Sequence, residues 1–245
     1  GYFPVADKKI QEFYTEKYGV VHPTKAGLKI PEIFDAAINK EVKGLWIIGE
    51  DIVQTDPNSA HVIKAMESLD LFVVQEIFMS ETAKLADVVL PGTTFLEKDG
   101  TFTNTERRVQ RVNKAAEPLP GTKPDGVIVT DMMQKLGYDQ PTYDADQVLA
   151  EVADVVPFFK GITRERLGKL GLQWPVKEDG TDTKILHEKE FKLGKGRLKS
   201  FHWQESTELK NNKKEYPLIL TTSRVLQHYN AATMTRRTKN LKIVD

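Results

Sequence analysis

The stretch that most constrains this chain is Gly44-Leu45-Trp46-Ile47-Ile48-Gly49-Glu50-Asp51, an apolar run that ends in a glycine and two adjacent carboxylates. A short apolar run bounded by glycines is the pattern of a strand buried on both faces, as in a parallel sheet flanked by helices. Ligands of such sheets sit at the carboxyl ends of the strands. Here that end offers Gly49, which lets a backbone approach closely, then Glu50 and Asp51, whose oxygens only accept hydrogen bonds. Acceptors suit N–H and O–H groups and repel phosphate, so a base or a ribose fits this position better than a pyrophosphate.

The elements around this strand repeat its rhythm. Pro31 opens a helix with Ile33, Phe34, Ala37 and Ile38 on one face, leading into the strand. After it, Asp56 is placed to cap a helix beginning at Pro57, along which Val62, Ile63, Met66 and Leu69 recur. Leu71-Phe72-Val73-Val74-Gln75 reads as a second buried strand, followed by Glu76, and right-handed crossover makes the two strands parallel neighbours. Ser80 is placed to cap a short helix, and Asp87-Val88-Val89-Leu90-Pro91-Gly92 reads as a third strand. The predicted class is α/β, a Rossmann-like doubly wound and mostly parallel sheet.

Residues 93–123 lose periodicity and read as a long functional or covering loop. Asp125 is then placed to cap a helix over Ile128, Val129, Met132, Met133 and Leu136, closed by Gly137. Further helices are expected near 7–18, 144–154 and 163–170. From about 185 the pattern turns β-rich, with a hairpin across Phe191 to Trp203 and a strand from Tyr216 to Thr222. Two domains are therefore expected, 1–184 and 185–245.

Composition closes several routes. Thirty-five basic and 35 acidic side chains cancel, which disfavours a nucleic-acid-coating surface. With no cysteine there is no disulfide, no thiolate nucleophile and no cysteine ligand for zinc or an iron–sulfur cluster, so no catalytic or metal-ligating residue is assigned. No apolar run approaches a membrane span and no signal peptide is evident. The first residue is Gly1 rather than Met, so the chain is expected to be a piece of something longer.

Several motifs in order resemble one family. They are Ile48-Gly49-Glu50-Asp51 with Gln54-Thr55-Asp56, then Val74-Gln75-Glu76-Ile77-Phe78-Met79, Thr82-Ala83, and Ala86-Asp87-Val88-Val89-Leu90-Pro91. The run Glu97-Lys98-Asp99-Gly100-Thr101-Phe102-Thr103-Asn104-Thr105-Glu106-Arg107-Arg108 continues the set. Pro217-Leu218-Ile219-Leu220-Thr221-Thr222, with Arg224, His228-Tyr229 and Met234-Thr235, completes it. The ordered set resembles the molybdopterin oxidoreductases, and within them the catalytic subunits of formate dehydrogenases.

That resemblance implies an internal fragment, cytoplasmic and without nucleic-acid partners, of an enzyme oxidising formate to carbon dioxide. Its cofactor would be molybdenum or tungsten held by two molybdopterin guanine dinucleotides. A 4Fe-4S cluster would lie in a missing N-terminal part, and the partners would be the rest of the polypeptide and electron-transfer subunits. The fragment alone would be inactive. Residues 185–245 would begin a C-terminal β-barrel domain. Asp51 and Thr55 would face guanine and ribose, with Gly49, Glu50, Gln75 and Glu76 beside them. Gly92 stands where the family resemblance suggests a small hydroxyl residue, leaving only its backbone for contact. Asp125 would lie near the same nucleotide, and Thr222, Arg224 and His228 would face pterin and phosphates.

Plainer readings stay open at this level. Asp51, Thr55 and Asp125 are each competent helix caps, Gln75 a strand-end amide, and His228 a structural histidine. Arg107, Arg108, Arg111 and Lys114 are either a solvated face or a cluster that packs against further domains or neutralises phosphate. Alternatives at the level of the whole protein are a nitrate-reductase-like relative, a cofactor-free scaffold such as the large iron–sulfur subunit of respiratory complex I, and a generic nucleotide-binding module.

Overall fold

The computed structural model describes residues 3–191 and 193–244. Gly1, Tyr2, Asp245 and Lys192, the last inside the expected hairpin, lie outside them. Chain contacts divide the protein into two units, Gly1–Lys184 and Ile185–Asp245.

The first unit opens with helix α1 (Lys8–Tyr18), capped by Asp7 and ended by Gly19 at φ 65°. Helix α2 (Ile30–Ile38) follows, with Pro31 in its first turn, where a missing N–H costs nothing. Strand β1 is Gly44–Ile48. A single turn, α3 (Ile52–Thr55), and helix α4 (Ser59–Glu67) then lead to β2 (Leu71–Glu76) and β3 (Val88–Pro91). The strands form one parallel sheet in the order β1-β2-β3, with Leu45 beside Phe72, Ile48 beside Gln75 and Gln75 beside Leu90.

The core lies where α2 and α4 cover one face of this sheet. Phe34 and Ala37 from α2, with Val62, Ala65 and Met66 from α4, meet Phe72 and Val74 of β2, with Leu45 and Ile47 packed at their edge. Phe72 and Val74 are almost fully buried, and side chains of that kind contribute about 1.5–3 kcal/mol each. Every second strand residue points to the other face, which places Gln75 away from that core and free for a polar role.

Residues 93–123 are not the long functional or covering loop expected from their lost periodicity. They form a β-hairpin, β4 (Gly100–Thr103) against β5 (Arg108–Val112). Asn104 makes the turn: its side-chain oxygen accepts from the backbone N–H of Glu106 and Arg108, and Arg107 adopts φ 67°. Asn favours such turns because its amide substitutes for backbone acceptors. Helices α5 (Asp125–Lys135), α6 (Ala145–Val155) and α7 (Arg164–Leu167) follow, and β6 (Leu172–Gln173) joins the hairpin edge. Val109 of the hairpin packs on Leu149, Ile162, Leu167 and Val176, which make a second core.

The second unit departs from its reading. Its described residues carry no strand, neither across 191–203 nor across 216–222, and its regular structure is α8 (Thr207–Asn212) with two 3-10 segments near the end. Leu218, Leu220, Phe201 and Trp203 are largely exposed. Strand-forming side chains are stabilised by cross-strand and same-face neighbours, and none of these residues has a paired strand here.

Candidate functional site

At the carboxyl end of β1 the chain turns sharply at Gly49, which takes φ 65° and donates its N–H to the Gln75 carbonyl at 2.9 Å. Left-handed backbone favours glycine, so this residue type is required by the turn. Glu50 is exposed and Asp51 is buried. Asp51 stands at the N-cap of α3, yet its carboxylate makes no cap hydrogen bond. Instead Oδ1 accepts from the backbone N–H of Thr82 at 3.0 Å and from its hydroxyl at 2.7 Å. The other oxygen, Oδ2, is buried without a hydrogen-bond partner among the described residues.

Gln75, at the end of β2, is 1 % exposed. Its Nε2 donates to Asp125 Oδ1 at 2.7 Å, and its Oε1 is buried and unpaired among the described residues. Two further buried polar atoms of the first unit share that condition, Thr93 Oγ1 just after β3 and the indole N–H of Trp46 in the middle of β1. Buried polar atoms without partners are uncommon in native folds and cost about 1–3 kcal/mol each. Asp51 Oδ2 and Gln75 Oε1 are pure acceptors, so the group that satisfies them must bring donors. Both lie beneath the surface.

Asp125 does not cap α5 as expected. Pro124 holds the N-cap position with no side-chain bond, and Asp125 is the first helical residue. Its carboxylate turns toward Gln75 and pairs with the Lys98 ammonium, which also donates to the Thr93 carbonyl at 3.3 Å. Burial pushes the Asp125 carboxyl up, but hydrogen bonds from Lys98 and Gln75 outweigh it and hold it below the ordinary carboxylate value. Gly92 is buried beside this pair, where a Cβ would sit 3.0 Å from Asp125 Oδ1.

The remaining expected residues divide clearly. Thr55 is exposed at the end of α3, and the following helix is capped not by Asp56 but by Asn58, whose side chain accepts from the His61 N–H. Pro57 sits before the helix because Asp56 instead binds the Asn58 N–H, delaying the first turn. Glu76 accepts from the N–H of Ile77. Thr222, Arg224 and His228 belong to the second unit and line a cavity of about 580 Å³ together with Asn230 and Arg236. There His228 Nδ1 lies 2.8 Å from the Thr235 hydroxyl.

Thr82 and Lys98 are the partners that residue-level reading missed. Thr82 stood in a motif without a role; it is fully buried and its hydroxyl also accepts from the Val53 N–H at 3.1 Å. The arginine cluster proves to be internally engaged: Arg107 donates to the carbonyls of Trp174, Thr183 and Lys184, and Arg108 pairs with Glu106. Among the described residues no group of three or more His, Asp or Glu could hold a metal, and no helix is long and apolar enough to cross a membrane.

Comparison with known proteins gives this geometry a context. Residues 15–135 match the model of a family described as molybdopterin oxidoreductase. The chain is 48% identical over 221 residues to the alpha subunit of a formate dehydrogenase from Methanocaldococcus jannaschii, covering 88% of this chain and 32% of that protein. It is 38% identical over 243 residues to a putative formate dehydrogenase of Staphylococcus haemolyticus, covering 99% of this chain and 25% of that protein. The chain thus spans a third or less of the length of these relatives. Among solved structures, acetylene hydratase from Pelobacter acetylenicus matches 85% of this chain with a TM-score of 0.55 at 23% identity, a likeness of fold.

Proposed function

Because the chain belongs to the molybdopterin oxidoreductase family, we propose that the ends of β1, β2 and β3 hold the guanine end of one molybdopterin guanine dinucleotide within a formate-oxidising enzyme. The observation that carries this reading is the buried, unpaired acceptor pair, Asp51 Oδ2 and Gln75 Oε1. Guanine presents N1–H and an exocyclic amine along one edge, and adenine presents no such pair of donors. Thr55 and Glu50, both exposed, suit ribose hydroxyls, and the backbone of Gly49, with open space beside it, allows close approach, whereas the space beside Gly92 is taken by Asp125. Glu76 and Asp125 complete the neighbourhood of the nucleotide.

Thr222, Arg224 and His228 are proposed to face pterin and phosphates, since a guanidinium pairs with phosphate in bidentate fashion. The molybdenum or tungsten group, when bound, would supply the two-electron redox chemistry by which formate gives carbon dioxide, a proton and two electrons. With no cysteine in this chain, thiolate ligands for that centre and for any 4Fe-4S cluster would come from other parts of the protein, as would contacts to electron-transfer subunits. In this reading residues 1–184 are the nucleotide-binding region of a cytoplasmic enzyme.

The test is thermal denaturation of the chain with guanosine or adenosine diphosphate at equal concentrations. Ligands that bind only the folded state add about 2.7 kcal/mol of stability at a hundredfold excess over Kd, and so raise the melting temperature. Stabilisation by the guanosine nucleotide alone is expected. Equal effects, or none, would overturn the reading, and metal analysis of the longer parent protein, with formate oxidation, tests the activity.

A further inference from the structure

We propose that Lys98 is a positioning residue for the nucleotide: through Asp125 it fixes the carboxamide of Gln75 so that Oε1, not Nε2, is presented to the ligand. The inference rests on the guanine reading above and adds to it the origin of base selectivity.

A glutamine amide has two ends of nearly equal shape, one donating and one accepting, and nothing in its own covalent structure decides which faces a ligand. Gln75 is buried at the end of β2, so water does not decide either. The decision falls to Asp125, whose Oδ1 receives Nε2 at 2.7 Å. An ionised carboxylate accepts and never donates, so the amide can satisfy it only with its NH2 end. Asp125 in turn pairs with the Lys98 ammonium, which is anchored on its other side to the Thr93 carbonyl at 3.3 Å.

Every donor in the chain Thr93–Lys98–Asp125–Gln75 is therefore fixed: Lys98 donates to the Thr93 carbonyl and to Asp125, and Gln75 donates to Asp125. Thr93 and Lys98 come from the segment after β3, Asp125 from the first turn of α5, and Gln75 from β2. Gly92 keeps the carboxylate within reach, because a Cβ there would press on Oδ1 at 3.0 Å. Without the ammonium, a partly buried carboxylate is pushed toward its neutral form or out to solvent. In either case Gln75 loses the acceptor that orients it. With Oε1 fixed, the ligand must supply a second donor beside the one taken by Asp51, and the exocyclic amine of guanine is that donor. Inosine nucleotides lack it and keep the N1–H, so they isolate the contribution of Gln75.

The experiment is calorimetric titration of the chain with guanosine diphosphate and inosine diphosphate. Wild type is expected to prefer the guanosine nucleotide about tenfold, the worth of one such hydrogen bond. Lys98→Met should bring the ratio close to unity and Lys98→Arg should keep it, whereas a purely structural role would weaken both ligands in equal proportion. Asp125→Asn, whose amide offers a donor as well as an acceptor, should also lose the ratio, and it carries the test should Lys98→Met fail to fold. A wild-type preference that survives in Lys98→Met or, in its place, Asp125→Asn overturns the positioning role and leaves the guanine site standing. Equal wild-type affinity for the two nucleotides overturns the role of Gln75, and no saturable guanosine binding overturns the site itself.

Discussion

Asp51 and Thr82 lie 31 residues apart in sequence and meet through two hydrogen bonds to a single carboxylate oxygen, which leaves the second oxygen buried and bare. The arrangement fixes the carboxylate in advance of any ligand. Asp51→Asn should keep the fold, because an amide oxygen still accepts from Thr82, but it turns the bare acceptor into a donor facing the donors of guanine. We expect at least a tenfold loss of guanosine diphosphate affinity, with a small change in melting temperature. Thr82→Val removes the hydroxyl donor and also strands the Val53 N–H, so it should cost about 1–3 kcal/mol of stability. Chemical denaturation of both variants beside nucleotide titration separates the two effects. Asp51→Asn binding as tightly as wild type would contradict the assignment.

Gly92→Ala addresses the packing behind Gln75. The added methyl would lie 3.0 Å from Asp125 Oδ1 and 3.7 Å from Ile77 Cγ2. Asp125 is held from two sides, so it yields only by stretching its bonds to Lys98 or Gln75. Overpacking of this size costs about 1 kcal/mol at the low end of its range, which is about 2–4 °C for a chain of this length. Gly92→Ser brings the same crowding with a hydroxyl that can donate to Oδ1, and should recover part of the loss. Scanning calorimetry gives the order wild type, Gly92→Ser, Gly92→Ala; an unchanged melting temperature for Gly92→Ala would mean that Asp125 moves freely.

How far the sequence reveals this architecture depends on whether the signal is local. Strands β1, β2 and β3 and helices α2, α4, α5 and α6 announce themselves because apolar runs and helical spacing are properties of neighbouring residues. The hairpin β4–β5 does not, since residues 101–106 are all exposed and Val109 is its one buried side chain, so no alternation appears. Strand-end position marked Asp51, Gln75 and Gly92 as candidates. Their partners Thr82 and Lys98 arrive from loops far along the chain and carry no periodic trace. In residues 216–222 the opposite happened: strand-forming side chains are present, and no partner strand is paired with them.

Tyr18 provides a pH-dependent tether in a different part of the first unit. Its hydroxyl donates to Glu151 Oε1 at 2.7 Å, linking α1 to α6. Burial first, and then the hydrogen bond to Glu151 and its charge, push the phenol from 10.0 up to about 12. The unfolded chain therefore releases this proton before the folded chain does, so the stabilisation is complete below pH 10.0 and fades as pH rises to about 12. Tyr18→Phe should lower the melting temperature by a constant amount below that window and converge on wild type above it. A difference that stays constant through strong alkali would show that the phenol is not perturbed by folding.

Arg107 closes the hairpin turn and clasps the segment that follows β6. Its guanidinium donates to the carbonyls of Thr183 at 3.0 Å and Lys184 at 3.1 Å and to that of Trp174, over whose ring it stands at 5.7 Å. The same residue holds φ 67°, where a side chain costs roughly 1–2 kcal/mol relative to the right-handed region. An arginine kept in a strained backbone must return more through its contacts than glycine would gain by relief. Arg107→Gly relieves the backbone and loses the clasp; Arg107→Ala loses the clasp and keeps the strain. Hydrogen bonds to charged groups contribute about 1.5–3 kcal/mol, so both variants should fall below wild type, with alanine lowest. Limited proteolysis should then cut within 174–184 faster in both. If Arg107→Gly is as stable as wild type, the clasp contributes no more than the strain it accompanies.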